Sequence, residues 1–199
     1  MALNFANNNS LSAITAKPSG LSGGALNLIS TQTASSSSTI SFTSGIDSTY
    51  DVYMFKFYDI HTSSAGDLTF QADTGTNTNY NQTITSTFFE GYHYEDDSDA
   101  NLGYRTSGDQ AQGTSFQKIS STLGTNNDDS AVGTLTVFNP SSTTFVKHFI
   151  YVGNSSAGTY TDNHFIAGYF NTTTAITRFQ FKMQSGNIDS GTIKLYGVS

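Results

Sequence analysis

The chain has 199 residues and a formal net charge of −7; only 12% of residues are charged, 36% are hydrophobic, and cysteine is absent. That length suits one domain, which buries roughly 70% of its unfolded surface without staples. The acidic balance opposes phosphate backbones, where Lys and Arg must replace counterions, so nucleic acid is not an expected partner; the missing thiols exclude disulfides and thiolate metal sites.

The polar residues are mainly Ser, Thr, Asn and Gly, unlike the charge-rich make-up of disordered chains. With 11 Tyr and 15 Phe against two Pro, the composition favours half-buried pleated sheets. The opening MALNFANNNS has neither a basic n-region nor an apolar h-region, so a secretory signal is not expected. No apolar run approaches the ~20 residues that cross a bilayer, so no membrane partner is expected either.

Residues 1–25 read as an extended N-terminal arm and residues 26–199 as a β-sandwich domain. In the arm, Leu3, Phe5, Leu11, Ile14 and Leu21 follow no sustained period, and Lys17 is the only charge before Asp47. Five apolar anchors on so uncharged a segment suit attachment to a partner, with main-chain hydrogen bonds as an added strand.

From Leu26 onward, short apolar stretches alternate with turn signals. Ile40 and Phe42 alternate with polar neighbours, and so do Leu68 and Phe70, Leu135 and Val137, and Ile193 and Leu195. The run from Tyr50 to Ile60 is apolar on both faces, as in a central strand, and Phe145 to Val152 forms another run. Phe179, Phe181 and Met183 oppose Arg178, Gln180 and Lys182 with a clean period of two. Between these runs stand Ser44-Gly45, Asn139-Pro140, Gly153-Asn154, Ser185-Gly186-Asn187 and Ser190-Gly191. The pattern predicts about nine or ten strands in an all-β, jelly-roll-like sandwich. One short helix of a turn or two is expected over Ser115 to Leu123, with Phe116, Ile119 and Leu123 on one side and Gly124 as a stop.

The residues that carry chemistry are thinly spread. His61, His93, His148 and His164 lie far apart, with no His-x-x-x-His pair, so a zinc site has little support. The nucleophile elbow Gly-x-Ser-x-Gly and phosphate-binding glycine loops are absent. Asp97, Asp99 and Asn101 have the alternate spacing of a calcium loop, but Leu102 stands where that loop needs Gly and Gly108 where it needs Glu. A solvated acidic loop is the simpler reading. Glu90 and Glu95 resemble paired glycosidase carboxylates only in being close in sequence. No catalytic role and no cofactor is expected.

Several long stretches then carry a resemblance: NNNSLSAIT, FTSGIDSTYDVYMFKFYDIH, GTLTVFNPSSTTFVKHFI and AGYFNTTTAITRFQFKMQSGNIDSGTIKLYGV. From Asn7 to Val198 the chain resembles virion proteins of tailed phages of marine bacteria, especially those infecting cyanobacteria. The resemblance implies a non-enzymatic structural protein of the virion, assembled in the host cytoplasm and displayed in many copies, as a homo-oligomer such as a trimer. The first expectation is a capsid decoration or cement protein whose arm lies on the major capsid protein. The alternative is a tail-associated fibre, collar or receptor-binding protein, in which Tyr92, Tyr94, Tyr104 and Tyr160 stack on host sugars.

Overall fold

Alternating apolar and polar side chains become two antiparallel sheets packed face to face in the computed structural model, which describes residues 25–199. The strands are β1 (Leu26–Thr33), β2 (Ile40–Phe42), β3 (Val52–Thr62), β4 (Leu68–Thr74), β5 (Ile84–Tyr94), β6 (Ala100–Tyr104) and β7 (Ala111–Gly113). They continue as β8 (Gln117–Lys118), β9 (Ala131–Phe138), β10 (Lys147–Ser156), β11 (Tyr160–Phe170), β12 (Ile176–Met183) and β13 (Ile188–Val198). The larger sheet runs β1-β13-β3-β9-β10-β11-β5-β6, with β7 also pairing β5; the smaller runs β2-β12-β4-β8. The chain is an all-β sandwich of two unequal sheets.

Period two decides what enters the core. Phe179, Phe181 and Met183 are buried as expected, in one core cluster with Tyr53, Phe55 and Phe57 from β3 and Phe149 and Tyr151 from β10. The rings lock edge to face: Phe55 to Phe181 at 5.1 Å between centroids, Phe70 to Phe149 at 5.1 Å, Phe57 to Tyr151 at 5.8 Å. Such pairs contribute about 0.5–1.5 kcal/mol each beyond the area they bury. Gly133 and Gly153 sit directly opposite one another on β9 and β10 beside Tyr151. A Cβ on either would run into the Tyr151 ring, so glycine is what lets that ring lie flat.

Three details depart from the sequence pattern. β3 lies between β13 and β9, as a central strand should, yet only its inner residues are buried; Met54 and Lys56 are half-exposed and Tyr58 is exposed. Its apolar outer residues therefore serve something other than this core. β4 goes the other way, burying Thr69, Gln71 and Asp73 as well as Leu68, Phe70 and Ala72. Gln71 donates to the backbone carbonyls of Gln82, Thr114 and Ser115, and Asp73 accepts from the Tyr80 N–H, so connecting segments cover the outer side. The helix expected over Ser115 to Leu123 is absent: Gln117–Lys118 is strand β8, paired with Phe70 and Thr69. Ile119 and Leu123 are buried as that amphipathic reading required, but the backbone satisfies β4 instead of itself: Ile119 N–H reaches Leu68 O at 2.8 Å and Leu123 N–H reaches Gly66 O at 3.0 Å.

Candidate functional site

β5 and β11 are paired residue for residue over their whole length, so side chains of one parity share one face. On the inward face the pairs change character step by step. Phe88 opposite Ile166 is core; Glu90 opposite His164 is polar; Tyr92, opposite buried Asp162, and Tyr94, opposite Tyr160, reach the surface. The inner face thus turns from hydrophobic packing into the floor and rim of a cleft of about 450 Å³, lined by Glu90, Tyr92, Tyr94, Arg105, Ser107, Ser121, Thr122, Tyr160 and Asp162. That volume is within the usual span for small-molecule sites.

The rim is aromatic. Tyr94 and Tyr160 have centroids 5.1 Å apart and tilted by 32°, and Tyr92 stands across them at 84° and 72°. The rings pack on one another and leave no cage between them, so they offer faces and hydroxyls as a platform. The Tyr92 hydroxyl donates to Asp99 at 2.9 Å, which fixes the ring and raises its pKa, because ionising it would place a second negative charge beside that carboxylate. Burial is the main cause of the raised Tyr160 pKa, with the Asp162 carboxylate adding to it.

The floor is ionic. Arg105 donates to Glu90 at 3.0 Å and lies 4.0 Å from Asp67, which is buried and takes Lys118 at 2.7 Å. Four side chains therefore form an alternating line from the cleft into the sandwich. Behind it, Ser121 donates to Asp162, and His164 Nε2 lies 3.2 Å from that carboxylate, 3.2 Å from Ser121 Oγ and 2.9 Å from the Ser121 N–H. Burial acts to raise the Asp162 pKa, but His164 and Ser121 outweigh it and hold the carboxyl below its ordinary value of 3.8. Asp162 Oδ1 and His164 Nδ1 are buried without partners among the described residues.

Two chemistries fit these groups poorly. In a nucleophilic triad the hydroxyl and the carboxylate take opposite nitrogens of the imidazole. Here Ser121 and Asp162 crowd the same nitrogen, and Ser121 is itself buried. Donor atoms of Glu90, Asp162 and His164 lie within 4.8 Å of one another, the reach of one metal ion. The fit is poor: Nε2 already takes the Ser121 N–H, and the Arg105 guanidinium on Glu90 supplies the positive charge a cation would bring. What the arrangement does well is present flat rings beside fixed donors and acceptors.

Of the residues singled out in the sequence, Tyr92, Tyr94 and Tyr160 are brought together. Tyr104 is not: its parity places it on the opposite face, edge-on to Phe89 at 5.1 Å. Glu95 does not meet Glu90, since an odd spacing along the strand region separates them and only Glu90 lines the cleft. Asp97, in a left-handed turn conformation at φ 60°, contacts His93 at 3.2 Å; Asp99 takes Tyr92; Asn101 lies on β6 opposite Tyr92. Of the three calcium-loop candidates, Asp97 thus turns to His93 while Asp99 and Asn101 both adjoin Tyr92. His61 pairs with Asp189 at 3.5 Å and His148 packs on Tyr169. The arm residues Leu3, Phe5, Leu11, Ile14 and Leu21 lie outside the described residues. Sequence reasoning missed Arg105, Asp162 and Ser121, which approach the tyrosines only through strand pairing and a crossing loop. The one available signal was Tyr160-x-Asp162-x-His164, a polar period-two run where the core pattern should continue.

No protein-family model and no curated protein matches this chain.

Proposed function

We propose that this chain is a non-enzymatic structural protein of a tailed-phage virion, tail-associated, and that its cleft binds a neutral saccharide of the host surface. The observation that carries the reading is the tyrosine platform set beside Glu90, Arg105 and Asp162. A pyranose ring has an apolar face of C–H bonds that packs on an aromatic ring, and a rim of hydroxyls that needs both donors and acceptors close by. The cleft offers both, and two carboxylates against one guanidinium leave it with one net negative charge, which disfavours an anionic ligand. The sandwich, the scarcity of charge and the resemblance to marine-phage virion proteins support the wider setting.

The test has two arms. Purified chain is screened against neutral oligosaccharides, with Tyr92→Ala and Tyr160→Ala as controls of unchanged melting temperature; binding that falls at least tenfold in both supports the reading, roughly the value of one lost stacking contact. No binding to any neutral saccharide overturns it. Counting copies in purified virions then places the protein, a dozen or so for the tail and hundreds for the head. The second reading, a capsid decoration protein, draws on the uncovered apolar outer face of the large sheet, which suits attachment to a shell.

A further inference from the structure

The outer face of the large sheet carries one unbroken row across eight strands: Thr31, Lys194, Lys56, Thr134, Val152, Phe165, Phe89 and Tyr104, each directly opposite the next. Three things about it are unusual. Val152, Phe165 and Phe89 are 44%, 45% and 46% exposed, side by side on three strands, with Ile150 at 46% in the adjoining row. Lys56 and Lys194 are paired directly across β3 and β13, an arrangement of like charges that costs stability; neither forms an ion pair with a described residue, and Lys194 lies 5.3 Å from the Tyr58 ring. At the far end, the Tyr104 hydroxyl donates to the Asp109 carboxylate at 2.5 Å. The row is therefore basic at one end, apolar in the middle and acidic at the other.

We infer that this face is a self-complementary interface that pairs with a second copy of the chain. A two-fold axis parallel to the strands and passing through Val152 lays the row on itself in reverse. Lys194 then faces Tyr104 with its Asp109, Lys56 faces Phe89, Thr134 faces Phe165, and Val152 meets its own copy. An isologous contact of this kind makes each complementary pairing twice. Lys194 gains a carboxylate partner and Lys56 a ring face, which relieves the like-charge pair. Two sheets laid face to face with their strands nearly aligned is a common packing of twisted sheets. The same axis turned along the row would set lysine against lysine, so charge selects the orientation. The interface is on the opposite side of the sheet from the cleft, so its failure and the failure of saccharide binding are separate results.

The test is sedimentation of the full chain over concentrations up to about 100 μM, where an interface of useful strength must show self-association. A monomer–dimer equilibrium is expected. Val152→Glu and Phe165→Glu should each weaken it at least tenfold without lowering the melting temperature of the monomer. Lys194→Glu and Asp109→Lys should each weaken it, and the double variant should recover most of the lost association, because the pair is exchanged and not removed. A chain that stays monomeric throughout, a dimer or trimer indifferent to Val152→Glu, or a double variant no better than either single one overturns the inference.

Discussion

Gly153 and Tyr151 show how narrowly one residue is fitted to the next. A methyl group at Gly153 would occupy the space of the Tyr151 ring, which is wholly buried and cannot swing out without opening the core. Gly153→Ala should lower stability by about 1–3 kcal/mol, the usual cost of overpacking, measured by urea unfolding. Asp162 makes a prediction in pH. Its carboxyl is held below the ordinary value of 3.8, so the folded state binds that proton less readily than the unfolded one. The stability it adds is complete above the unfolded value and is lost as pH falls through the folded one. The stability gap between the native chain and Asp162→Asn should be constant above about pH 5 and shrink below about pH 4. A gap that stays constant to pH 3 would remove Asp162 from the acid limb. Such residues were visible as letters, but their neighbours were not: Gly153 looked like a turn signal, and it lies within β10.

Among the elements, β8 is the shortest and the most informative. Two residues long, it seats Lys118 against buried Asp67, which in turn holds Arg105 at the cleft. Arg105→Ala takes the cation from part-exposed Glu90 while Asp67 keeps Lys118, so it should cost about 1–2 kcal/mol and loosen the cleft floor. A thermal melt reads the first effect, and weakened saccharide binding the second. The stretch around β8 carries Phe116, Ile119 and Leu123 at helical spacing, which is why it reads as a helix. It becomes strand and loop because the edge of β4 offers unpaired backbone groups, and eight or nine residues are too few for helix formation to compete with that pairing. By contrast β12 was legible from Arg178 to Met183, where alternation is strict and no other period competes; the irregularity between Ile176 and Arg178 was not.

For the molecule as a whole, the first and last described strands are neighbours: β13 lies between β1 and β3 and supplies Ile188, Ile193 and Leu195 to the core. The large sheet is therefore complete only when β13 is in place. Deleting residues 188–199 should abolish the cooperative unfolding transition and the β-type circular dichroism, because among the described residues β1 loses its only strand partner and β3 one of its two. A truncated chain that still melts cooperatively would contradict this architecture. Composition and period two were enough to determine an all-β sandwich and most of its inward-facing aromatics, since alternation on a strand maps directly onto the two faces of a sheet. The tyrosines were also visible as exposed candidates. Only the tertiary structure decided that Tyr92, Tyr94 and Tyr160 share a cleft with Arg105 and Asp162 while Tyr104 stands on the other face with Phe89. It also decided which apolar residues of β3, β10 and β11 remain uncovered. Register between strands far apart in sequence sets both outcomes, and a one-residue slip would reverse them. Local pattern determines a residue's parity; the pairing of distant strands determines what that parity faces.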